Sequence, residues 1–191
     1  GIDGPAGPSE VLVVADAAAD PDLVAAELVA QAEHDPDAVA IAVVIGSAAA
    51  AARIEAALSR AVAEAARGDI VSAALAGYGG VLTVDTLDEA VIFANDFAAE
   101  HLLLAFEGAE PAKDRFSVAG AVFVGSASSV AFGDYLTGGN HVLPTAGLGR
   151  SYSGLGPDDF VRWTSYQTVS PEAAARLAED TSTLAMAEWL P

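Results

Sequence analysis

The run Val11-Leu12-Val13-Val14-Ala15-Asp16 constrains the fold most: five apolar residues without alternation, entered from turn residues and left through an aspartate. A strand hidden from water on both faces reads this way, and such strands belong mostly to parallel sheets covered by helices. The pattern recurs. Ala38 to Ile45, Val81 to Asp85, His101 to Phe106 and Ala121 to Val124 are further strand candidates. Asp20-Pro21 supplies an N-cap with proline at the first helical position, opening a helix to about His34. Ser47 caps a long Ala-rich helix that Gly68 can end, and Thr86-Leu87-Asp88-Glu89 has capping-box spacing for a helix through about Ala98. A short helix fits Pro111 to Phe116, a long polar loop Gly133 to Gly156, and a last helix Ser170-Pro171 to about Leu190. This alternation predicts an α/β layer fold with parallel strands and helices on both faces over residues 1–150, followed by a C-terminal helical tail over 151–191.

Charge and cysteine content remove several function classes. With 27 acids against 8 bases the net charge is −19, so no basic patch exists to neutralise nucleic-acid phosphates. The absence of cysteine excludes disulfides, thiolate zinc sites, iron–sulfur clusters and cysteine nucleophiles, leaving His, Asp, Glu or Gln for any metal, and fits a cytoplasmic location. The richest apolar stretch, Ala38 to Ala52, is interrupted by Gly46-Ser47, which argues against a membrane span. A dense Gly/Pro motif at Gly1 and a stop at Pro191 suggest a piece of a longer protein.

The three histidines each sit beside a carboxylate, an amide or a Gly-rich turn. Gln31 and His34 share one helix face by their spacing and can meet one ligand, although a helix-end histidine has an ordinary reading too. Glu100-His101 pairs two proton-transfer groups, but neighbours on a regular strand point to opposite faces, so they share a site only if the backbone is irregular there. Gly138-Gly139 lets the loop between Asp134 and His141 fold back, and Asp, His and Gln donors suit Zn²⁺. No glycine cluster completes a G-x-G-x-x-G or phosphate-loop pattern, and no G-x-S-x-G elbow is present.

The segments Gly4-Pro5-Ala6-Gly7-Pro8-Ser9-Glu10-Val11-Leu12-Val13, Gln31-Ala32-Glu33-His34, Asn95-Asp96-Phe97 with Glu100-His101-Leu102, Gly133-Asp134-Tyr135, and Asn140-His141-Val142-Leu143-Pro144-Thr145 together resemble histidinol dehydrogenase, in that family's order. The resemblance implies an incomplete Rossmann-like sheet and NAD-dependent oxidation of L-histidinol through the aldehyde to L-histidine, with one Zn²⁺ positioning the substrate. It implies Gln31, His34 and Asp134 as zinc ligands, His101 as the proton acceptor in alcohol oxidation, and Glu100 as the base that activates water at the aldehyde stage. Ser9, His141 and Glu188 would contact substrate, as would the zinc ligands and the acid–base pair. It further implies a homodimer, an N-terminal half carrying most of the NAD surface that this chain lacks, and a fourth zinc ligand, a histidine, beyond Pro191; the piece alone would be inactive. The residues leave open a non-redox zinc hydrolase using the same ligands with Glu100 as base, and a catalytically empty assembly module.

Overall fold

A computed structural model describes residues 7–190, so the opening of the Gly4 to Val13 motif lies outside the described residues. The chain divides into two compact units, the first through Asp159 and the second from Phe160.

The first unit is built on five strands: β1 (Glu10–Ala15), β2 (Val39–Ile45), β3 (Gly79–Val84), β4 (His101–Ala105) and β5 (Ala121–Val124). Their order is β3-β2-β1-β4-β5, and every neighbouring pair is parallel. The uninterrupted apolar run forms the central strand, buried along its whole length as expected for a strand covered on both faces. Val11, Val13 and Ala15 face one core with α1 (Pro21–Ala32), α2 (Ala48–Glu64) and α3 (Gly68–Tyr78). Leu12 and Val14 face a second core with α4 (Leu87–Phe97) and α5 (Ala109–Ala112). The small side chains Ala40, Ala42, Ala50 and Ala74 are fully buried or nearly so, which lets the helices approach the sheet closely.

The caps are in place. Asp20 accepts a hydrogen bond from the Asp22 amide, Ser47 from Ala50, and Thr86 and Glu89 form a reciprocal capping box. Three expectations need correction. Gly68 does not end the long helix: α2 closes at Glu64, and Gly68 begins α3, whose Val71 and Ala74 are buried against the sheet. The short helix starts two residues early, at Ala109, and continues as a 3-10 turn over Lys113–Arg115. The segment from Gly133 is not wholly loop, because α6 (Val130–Tyr135) runs into it and Leu148–Arg150 forms a 3-10 turn.

The chain changes direction across the sheet between β1 and β4, where doubly wound proteins usually bind ligands at the carboxyl ends of the strands. Here Asp16 occupies that edge: its carboxylate accepts the amides of Ala18 and Glu107 at 2.9 Å each, tying together the chain after β1 and after β4. The titratable cluster lies at the opposite, amino edge.

The second unit holds α7 (Pro171–Ala187), capped by Ser170 with Pro at the first position, and its residues are exposed except for partly covered Ala173 and Ala185. Glu188 is the C-cap. Among the described residues no helix is long and apolar enough to cross a membrane.

Candidate active site

The amino edge gathers side chains from four directions because helices return antiparallel to the strands. β1 and β4 begin there with Glu10 and His101, in register Val11 with His101. Helix α1 leaves the carboxyl edge after β1 and ends at the amino edge, bringing buried Gln31 and, two residues past its end, His34. Helix α6 likewise returns from β5 and carries Asp134 near its C-terminal end. The loop after α6 adds His141. As a result Ser9, Gln31, His34, Glu100, His101, Asp134, Tyr135 and His141 line a single cavity of about 480 Å³. Seven of the eight residues expected as site residues are among them, and the eighth, Glu188, lies in the second unit.

Glu100 sits in a bend one residue before β4, so the alternation of a regular strand does not separate it from His101. Both are buried, and Glu100 Oε2 is 3.5 Å from His101 Nδ1. The closer partner of that nitrogen is the Glu10 carbonyl at 3.0 Å. A carbonyl only accepts, so Nδ1 carries the proton and Nε2 the lone pair. His101 Nε2 is buried without a hydrogen-bond partner and lies 3.6 Å from Asp134 Oδ1. Burial holds the imidazole pKa below its ordinary value, only partly offset by the Glu10 carbonyl and Asp134.

Burial pushes the Glu100 carboxyl up to about 7, helped by the negative charges of Glu10 and Asp134 and opposed by the hydrogen bond from the Glu10 amide. A carboxylate in that range accepts and returns protons at neutral pH. The sequence motifs assign Glu10 no role of its own. Its carboxylate accepts from the Glu100 amide at 3.1 Å and the Ala146 amide at 3.0 Å, while its own amide donates to Glu100 Oε2 at 2.9 Å. The available signal was an acid at the head of an otherwise apolar buried strand. Tyr135, adjacent to Asp134, also lines the cavity.

His34 Nδ1 faces the carbonyls of Ala30 and Gln31 at 3.0 and 3.2 Å, so its proton is on that nitrogen and Nε2 is the lone-pair donor. Histidines that bind metals are commonly fixed in this way. Among the described residues no three His, Asp or Glu side chains form a cluster able to hold a metal by themselves. His34 and Asp134 are two donors of that kind, and the Gln31 amide is a neutral third beside them in the same cavity.

Similarity to known proteins extends along the whole length of the chain. The family model for histidinol dehydrogenase matches residues 1–191. The chain is 47% identical over 189 residues to the histidinol dehydrogenase of Natronomonas pharaonis, covering 99% of this chain and 45% of that protein. It is 44% identical over 193 residues to that of Methanopyrus kandleri, covering 100% of this chain and 44% of the relative. The crystal structure of histidinol dehydrogenase from Elizabethkingia anophelis superposes with a TM-score of 0.83 at 36% identity, over 97% of this chain and 42% of that one. The chain thus spans less than half the length of these relatives.

Proposed function

The chain belongs to the histidinol dehydrogenase family, and on that footing we propose that it is the substrate- and proton-handling part of a cytoplasmic, homodimeric enzyme that oxidises L-histidinol through L-histidinaldehyde to L-histidine. The observation that carries this reading is the convergence of Ser9, Gln31, His34, Glu100, His101, Asp134 and His141 on one cavity. A neutral amide, an imidazole with its lone pair on Nε2 and a carboxylate are a donor set that fits zinc, so Gln31, His34 and Asp134 would hold it. Zinc held there would position the substrate, and NAD⁺ would supply the oxidising power for each of the two oxidations.

The chain's own residues manage the protons. His101 Nε2, which carries the lone pair and lacks a hydrogen-bond partner, receives the hydroxyl proton of the alcohol as the hydride departs. Glu100, with its pKa near 7, takes a proton from the water that adds to the aldehyde carbon. Ser9 and His141 contact the substrate from the cavity wall, and Glu188 completes the substrate-binding set in the full-length homodimer.

In the full-length enzyme, Glu100→Gln is expected to slow aldehyde oxidation about 10²-fold or more while alcohol oxidation falls much less. Single-turnover rates for each half-reaction measure this, and equal losses in both would remove the role of Glu100. The 191-residue chain by itself is expected to form no NADH from histidinol and NAD⁺. Hydrolysis of an amide or ester at this site without NAD⁺ would favour a zinc hydrolase instead.

A further inference from the structure

We infer that Glu10 is the positioning residue of this site: its carboxylate joins Glu100, at the entrance to the strand that begins with His101, to the loop that carries His141. The inference rests on the proton-transfer reading of Glu100 and His101 and extends it to a residue that is not among those lining the cavity.

Four hydrogen bonds meet at Glu10. Its amide holds Glu100 Oε2, its carbonyl holds His101 Nδ1, and its two carboxylate oxygens accept the amides of Glu100 and Ala146. Glu10 and Glu100 stand opposite each other one step before the β1–β4 ladder begins at Val11 and His101. Each carboxylate crosses to the other's amide, forming a reciprocal clasp at the open end of the ladder. The clasp fixes the Glu100 rotamer and backbone, and the carbonyl fixes the tautomer of His101.

The bond to Ala146 extends this control to the far wall. Ala146 has a left-handed φ of 55°, and Thr145 beside it is fully buried, with its hydroxyl donating to the Gly7 carbonyl at 3.2 Å. This anchors the foot of the segment that includes His141. A buried acid is an expensive way to end a strand, and an apolar residue would leave the amides of Glu100 and Ala146 without these acceptors. Burial raises the Glu10 pKa against the pull of those two amides, which is the penalty this arrangement carries.

Glu10→Gln tests the role, because both carboxylate oxygens are used as acceptors and an amide retains only one. Its NH₂ must face either the Glu100 or the Ala146 amide, donor against donor. In the full-length, zinc-loaded enzyme, Glu10→Gln is expected to lower the ratio of aldehyde to alcohol oxidation rates about tenfold, in the direction of Glu100→Gln. Glu10→Asp keeps the charge but withdraws it by one methylene; it is expected to lower the ratio less, and serves in place of Glu10→Gln if that protein does not fold. Thr86→Ala, a cap loss outside the site, sets the baseline for simple destabilisation, where both half-reactions fall with the folded fraction and the ratio stays constant. A constant ratio in Glu10→Gln and Glu10→Asp, with Glu100→Gln lowering it, overturns the role of Glu10 alone. A constant ratio in Glu100→Gln overturns the underlying reading and this inference with it.

Discussion

At the scale of single residues, the cost of burying Glu100 is measurable without any substrate. Its carboxyl moves from an ordinary value of 4.5 to about 7 in the folded chain. Between those values the folded state binds more protons than the unfolded state, so stability falls as pH rises through the window and the full penalty applies above it. Allowing for solvent screening, the difference amounts to about 2 kcal/mol. Glu100→Gln removes the titrating group, so urea unfolding at pH 5 and pH 8 should show the variant gaining stability relative to the parent as pH rises. His101, whose pKa burial lowers, contributes with the opposite sign, which is why the difference between variant and parent is the quantity to follow. An equal gap at both pH values would mean that Glu100 titrates normally.

At the scale of elements, close packing at one glycine aims a functional side chain. A Cβ on Gly133 would lie 2.5 Å from the Phe123 ring, so that ring or α6 would have to shift to admit it. The same ring stands 6.1 Å from the His101 ring, and Asp134 follows Gly133 directly. Gly133→Ala should push α6 outward, cost about 1–3 kcal/mol and weaken zinc binding to the full-length protein, while Thr86→Ala should cost about 1 kcal/mol and leave zinc affinity unchanged. Thermal unfolding and zinc titration of both variants check this, and unchanged zinc affinity in Gly133→Ala would show that α6 does not set the metal site. Caps and continuous apolar runs were readable in the chain because they act over a few neighbouring residues. Helix α3 was not: Gly68 is a natural helix stop, and only burial of Val71 and Ala74 against the sheet makes the stretch after it a helix. The candidate site residues stand in motifs, but their meeting in one cavity is not visible there, since Gln31 and Asp134 come together only through the antiparallel return of α1 and α6 to one edge. Glu10 lay hidden because its partners, Glu100 and Ala146, are 90 and 136 positions away.

At the scale of the whole molecule, net charge acts on stability independently of the site. With 27 acidic and 8 basic side chains, folding confines a formal charge of −19 in a smaller volume than the unfolded chain occupies. Only three ion pairs between an acid and Lys or Arg occur among the described residues, and their side chains are 43% to 78% exposed, so local pairing offsets little of the repulsion. Salt at physiological strength screens charges beyond about 8 Å and should therefore favour the compact state. Raising NaCl from about 0.02 M to 0.5 M is expected to stabilise the chain by about 1 kcal/mol or more, a rise of roughly 2–4 °C in Tm for a protein of this size. KCl should give the same rise, because screening depends on ionic strength and not on which monovalent cation is present. A Tm that is flat or falls with salt would show that the acidic surface does not burden folding, and a rise with one cation alone would indicate binding at a defined site instead of screening.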